Sequence, residues 1–170
     1  MTQLLVVIEL WTEMLDSGDP VDAICLDFSK VFDTVPHQRL LNKLQAYGIF
    51  GDTYGWIKTF LTGRTYRVVV NSSLSLKLEV LSGIPRGNVL GTILFVLLIN
   101  DLPELVRSTV HIVADDTNIY RRVLIEQDCI ELQADVTRRV DWSSKWQMRF
   151  NGDKCKVLHL GHITRRLVIR

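Results

Sequence analysis

The stretch HIVADDTNIY, His111–Tyr120, decides how the fold of this chain is read. Two β-favouring runs, His111-Ile112-Val113 and Thr117-Asn118-Ile119-Tyr120, flank Ala114-Asp115-Asp116, a pattern of a hairpin with adjacent carboxylates at its turn. The plain reading is a solvated turn, because Asp favours turns. The sharper reading is a cation site, in which a divalent metal relieves the repulsion between two close carboxylates. A third carboxylate placed beside them would decide the matter.

Asp27 is the candidate. It lies near the end of VDAICLDF, Val21–Phe28, where the unbroken apolar run Ala23–Leu26 reads as a buried strand. An ionised side chain there is costly unless it is paired, exposed at the strand's end or bound to metal. Pairing of this strand with the Asp115-Asp116 hairpin would gather three carboxylates at the sheet's edge, an arrangement suited to two Mg²⁺ ions around a phosphate. Spacing alone leaves that meeting open.

Outward from these two strands, residues 3–15 have helical periodicity and Asp16-Ser17-Gly18-Asp19-Pro20 stops them. Pro36 opens a second helix with Leu40, Leu41, Leu44 and Tyr47 on one face and Gly48 closing it. A third is expected from about Asp52 to Leu61, with Trp56, Ile57 and Phe60 inward. RTYRVVVN and LKLEVLSG form a hairpin joined by Ser72-Ser73. After GIPRGN, where Pro85 fixes φ, Gly87 permits close approach of a ligand and Asn88 suits an N-cap, an apolar helix runs from Val89 to about Leu105. From Glu126 to Trp146 the spacing of Ile130, Leu132, Val136, Val140 and Trp142 reads as an amphipathic helix, with Asp135 and Arg139 at i,i+4 on its outer face, and KCKVLHLG as a last strand. The order is α+β, not a βαβ repeat, and no linker divides residues 1–170, so one domain is expected.

The bulk numbers narrow the function classes. A chain of 170 residues, 47% hydrophobic and 23% charged, suits a packed core and argues against disorder. A formal net charge of +1 excludes a broadly basic nucleic-acid coat, so a polyanion must be held by local arginines or by metal. Three scattered cysteines without a CxxC pair suit a reducing, intracellular compartment. The greasiest run, Val89–Ile99, is too short to span a bilayer, which argues against a membrane partner.

Four segments in order, AICLDFSKVFDTVPHQRLLNKLQAYGI, LSGIPRGNVLGTILFVLLINDLP, HIVADDTNIY and WSSKWQMRFNGDKCKVLHLG, resemble the reverse transcriptase palm of non-LTR, LINE-type retrotransposons over about residues 20–161. The resemblance implies an RNA-directed DNA polymerase with a palm-like antiparallel sheet, helices packed on one face, and most of the fingers and thumb lying outside this truncated chain. It implies RNA template, DNA primer and deoxynucleoside triphosphates as partners, two Mg²⁺ ions with Mn²⁺ as substitute, and a nuclear or cytoplasmic location. A protein partner over exposed palm surface is expected as well.

Carried over by position, Asp27 and Asp115 are the principal ligands of both metals, Asp116 is the adjoining acid, and the carbonyl of Phe28 completes a shell. Phe32 is the bulky residue under the incoming sugar, and Lys154 the acid that protonates departing pyrophosphate. Arg86 and Gly87 stand at the nucleotide, and Arg64 and Arg67 are weaker candidates for the template-primer backbone. Trp142 and Trp146 read first as core anchors. The chain departs from the family's usual letters at Val31 (Ala), Arg86 (Gln), Asn88 (Ser), Thr92 (Pro) and Val113 (aromatic). Arg86 sets a cation beside the expected triphosphate. The departures and the length motivate an alternative, an inactive retroelement remnant that at most binds nucleic acid or a protein partner.

Overall fold

The structure is a computed structural model and describes residues 3–113 and 116–161. In chain order come α1 (Gln3–Asp16), β1 (Val21–Asp27), α2 (Val31–Thr34), α3 (His37–Ala46) and α4 (Gly51–Leu61). The short strands β2 (Thr65–Tyr66), β3 (Val69–Val70), β4 (Ser73–Leu74) and β5 (Leu78–Glu79) follow, then α5 (Val89–Ile99) and a 3-10 turn at Pro103–Leu105. β6 (Thr109–Val113), β7 (Asp116–Arg122), α6 (Glu126–Trp146) and β8 (Lys156–Leu160) complete the order. Helices mixed with antiparallel sheets are the α+β class read from the sequence. The chain divides into two compact units.

The first unit holds α1, β1, β6, β7, β8 and nearly all of α6. Its strands form one antiparallel sheet in the order β6-β7-β1-β8, so the two strands that carry Asp27 and Asp116 are central neighbours. Helices cover both faces of this sheet, which corrects the expectation of a single covered face. Val21, Ala23 and Tyr120 pack with Leu10, Trp11 and Met14 of α1. Ile24, Leu26 and Ile119 pack with Leu132 and Val136 of α6. The reason lies in β1, whose residues Val21–Ile24 are all buried and therefore need apolar cover on each side. α1 stops where Gly18 takes φ 79° and its N–H donates to the Leu15 carbonyl, a left-handed helix cap.

α6 has the expected bounds, and Leu132, Val136 and Trp142 of its expected stripe are buried. Asp135 and Arg139 are fully buried, whereas Ile130 and Val140 are exposed. The Asp135 carboxylate accepts the backbone N–H groups of Arg107 (3.0 Å) and Ser108 (2.9 Å) and pairs with Arg138. Asp135 thus ties the segment leading into β6 to the helix. Burial pushes the Asp135 pKa up, but the hydrogen bonds from Ser108, Arg107 and Arg138 outweigh it and leave the value lowered. Burial pulls the Arg139 guanidinium down to about 10, with Asp135 opposing, and none of its three nitrogens makes a hydrogen bond.

The second unit holds α2–α5, β2–β5 and Trp146–Met148. Leu40, Leu41 and Leu44 of α3, Ile57 and Leu61 of α4, and Leu94, Phe95 and Leu98 of α5 are buried. Trp56 is exposed, not inward, and Tyr47 is exposed at the end of α3. α5 ends at Ile99, short of Leu105, since Asn100-Asp101 and then Pro103 break the apolar run. In the hairpin, Val70 pairs with Ser73, so the turn is Asn71-Ser72 rather than Ser72-Ser73. Both turn residues have positive φ, 47° and 64°, a conformation that Asn adopts readily. Trp146 stacks under Lys43, whose ammonium lies 4.5 Å from a Trp146 ring centroid and donates to the Leu98 carbonyl.

Candidate active site

Strand register brings two acidic residues of the first unit opposite each other. β1 and β7 pair so that Asp27 stands directly opposite Asp116. Asp116 is therefore the first residue of β7, not part of the turn, and Val113 of β6 is its partner on the other side. Asp115 lies outside the described residues, and among those described no three His, Cys, Asp or Glu side chains gather as metal ligands. Like charges directly opposite in a sheet repel. Asp27 has a cation as its neighbour.

Lys154 supplies it. Its ammonium lies 3.1 Å from Asp27 Oδ2, an atom shielded from solvent that accepts no hydrogen bond. The turn carrying Lys154 is fixed to the end of β1. The Asn151 N–H donates to the Asp27 carbonyl at 2.8 Å, and the N–H groups of Lys154 and Cys155 donate to the Asn151 carbonyl at 3.0 Å. Ser29 donates to the Arg149 carbonyl, and the Phe28 and Phe150 rings stack with centroids 4.4 Å apart. Phe28 itself is core, with Trp142 on its other contact at 6.2 Å, and Trp142 donates its indole N–H to Asp101. A buried carboxylate oxygen without a hydrogen bond is a donor of the kind a hard divalent cation takes, and the strand register places Asp116 opposite Asp27.

The remaining sequence-derived residues belong to the second unit. Phe32 is half-buried, its ring 4.8 Å from that of Phe95. Arg86 pairs with Asp33 at 2.8 Å, and its guanidinium lies 5.9 Å over the Phe32 ring. Its nearest charge is thus a carboxylate of its own unit. Gly87 has φ 76° with open space where a Cβ would stand, so its freedom serves the turn. The Asn88 Oδ1 accepts the Gly91 N–H at 2.7 Å, capping α5 as expected and doing the work a serine would do there. Gly91 itself went unnoticed in the sequence. A Cβ there would come 2.3 Å from the Pro85 carbonyl oxygen.

Arg64 turns inward, donating to the carbonyls of Leu61 (3.0 Å) and Gly83 (2.7 Å), while Arg67 is exposed. Val31 is buried and Thr92 exposed, its hydroxyl bonding back to the Asn88 carbonyl at 3.4 Å. Asp33 and Asn151, which the sequence reading passed over, hold Arg86 and the Lys154 turn. Their partners are 53 and 124 positions away, and no local pattern signals such pairings.

Comparison with known proteins gives the geometry a family. The chain is 29% identical over 158 residues to the "Probable RNA-directed DNA polymerase from transposon X-element" of Drosophila melanogaster, with 89% of this chain and 17% of that protein covered. It is 29% identical over 165 residues to the "RNA-directed DNA polymerase from mobile element jockey" of the same organism, covering 90% and 18%. A polyprotein from the type-1 retrotransposable element R2 of Popillia japonica is 28% identical over 85 residues, half of this chain and 14% of that one. The chain thus spans less than a fifth of the length of these relatives. The family model described as reverse transcriptase (RNA-dependent DNA polymerase) matches residues 16–166, and the chain belongs to that family.

Proposed function

We propose that this reverse transcriptase domain is the palm-like part of an RNA-directed DNA polymerase that adds deoxynucleotides to a primer 3′-hydroxyl on an RNA template. The observation that carries the reading is the register of Asp27 opposite Asp116, with Lys154 on the buried Oδ2. The family implies dependence on a divalent cation, and the finer assignment is two Mg²⁺ ions held by Asp27 and Asp115, with Asp116 adjoining. Two bound ions would lower the pKa of the primer hydroxyl and neutralise the leaving pyrophosphate. The chain's own part is to fix Asp27 and Asp116 at one register, with the Lys154 ammonium beside Asp27. Lys154 would give its proton to the departing phosphate oxygen, general acid help typically worth about 10² to 10⁴ in rate. In the second unit, Phe32 would lie against the incoming sugar and exclude a 2′-hydroxyl. A protein partner covering apolar palm surface belongs to the same reading.

The test is primer extension on a primed RNA template with Mg²⁺ and deoxynucleotides, beside Asp115→Ala. Extension that disappears in the variant supports the polymerase. A folded chain that extends no primer, or a variant that extends as well as its parent, refutes it.

A further inference from the structure

Within the second unit, two segments that a polymerase would set against a nucleotide are sewn together along their length. The Gly83 N–H donates to the Val35 carbonyl at 2.8 Å and the Ile84 N–H to the Phe32 carbonyl at 2.6 Å, while Ser82 Oγ donates to the Asp33 carbonyl at 2.9 Å. The approach is so close that a Cβ on Gly83 would lie 2.8 Å from the carbonyl oxygens of both Phe32 and Asp33. Arg86 completes the seam. Its Nη2 is 2.8 Å from Asp33 Oδ2 and its guanidinium carbon 5.9 Å from the centre of the Phe32 ring, whose other contact is Phe95 at 4.8 Å. Phe32, Asp33 and Arg86 line an open cavity of about 640 Å³ with Arg64, Tyr66 and Pro85.

We infer that Arg86 and Asp33 are positioning residues for selection of the incoming nucleotide's sugar, acting through the Phe32 ring that they hold in place. The inference rests on the polymerase reading given above and names what sets its selectivity. A wall that excludes one hydroxyl discriminates only as far as it resists moving, and an apolar pocket rejects an added hydroxyl weakly when it yields. Phe95 blocks the ring on one side. The planar guanidinium covers it on another, and Asp33 holds the guanidinium there by charge. With its charge matched by Asp33, Arg86 serves the ring rather than the triphosphate.

The experiment is equilibrium titration of the chain, on a primed RNA template with a dideoxy-terminated primer, using the matched deoxynucleotide and ribonucleotide. The readout is the ratio of the two Kd values. Arg86→Gln and Asp33→Asn should each lower the ribo-to-deoxy ratio by about three- to five-fold, or up to about 1 kcal/mol at 1.4 kcal/mol per decade. Arg86→Lys, which keeps the charge without the planar cover, should lower it too. A ratio that stays constant, including one in which both affinities fall together as for a phosphate ligand, overturns the inference and leaves the polymerase standing. A folded chain that binds neither nucleotide overturns both.

Discussion

Among single residues, Asp27 stands out for its Oδ2 atom. The atom is buried, makes no hydrogen bond and has the Lys154 ammonium 3.1 Å away; under the proposed polymerase function, a divalent cation bound there would compete with the lysine. Lys154→Gln should therefore tighten Mn²⁺ binding by about five-fold, in line with the about 1 kcal/mol that a partly exposed pair contributes. Lys156→Gln removes the same charge from a side chain that donates to the Asp153 carbonyl, and should leave the Mn²⁺ Kd within about two-fold. Equal effects of the two substitutions, read by electron paramagnetic resonance, would show a general field instead of a competitor. The strands that carry Asp27 and Asp116 were legible in their apolar runs, and they pair. The Arg86–Asp33 pair was not, since a salt bridge between residues 53 apart leaves no local pattern.

Among the elements, α6 separates what periodicity reveals from what it hides. Its bounds and its Leu132, Val136 and Trp142 stripe followed from spacing, but the Asp135/Arg139 pair at i,i+4 looked like a solvated face and is buried. What buries it is the segment at Arg107-Ser108, which donates two backbone N–H groups to Asp135 and is invisible to a helix-by-helix reading. Asp135→Asn should cost about 3 kcal/mol at neutral pH, measured by urea denaturation, because a charged acceptor is lost from a buried network. The folded-state pKa of Asp135 is lowered, so its stabilisation is complete above the ordinary carboxylate range and fades as pH drops through the lowered value. The parent should thus lose stability below about pH 4 more steeply than the asparagine variant. Arg139→Met should raise the Tm or leave it unchanged, since the guanidinium is buried without a hydrogen bond and Asp135 keeps its other partners. A clear fall in Tm would show that the cation earns its place.

For the whole molecule, the α+β class and the antiparallel central sheet were legible in the order of strands and helices, whereas the two-sided helical cover and the division into two units were not. Local sequence specifies which face of a strand is apolar, but which helix comes to cover it is decided by contacts far apart in the chain. The hairpins of the second unit and the residues after them expose Val70, Leu74, Leu76 and Leu81, large apolar side chains of the kind that apolar-surface dyes bind. Leu76→Lys with Leu81→Lys should reduce binding of dyes that report apolar surface, and unchanged fluorescence would show that the hairpin is not the source. No helix among the described residues is long and apolar enough to cross a membrane. The most direct test of the central claim is Mn²⁺ binding by electron paramagnetic resonance in the parent chain, Asp27→Asn and Asp116→Asn. The account predicts that the parent binds Mn²⁺ and that Asp27→Asn weakens it by at least about ten-fold, with Asp116→Asn weakening it less. Equal binding by all three chains would contradict it, because the register of β1 and β7 would then not be what holds the metal.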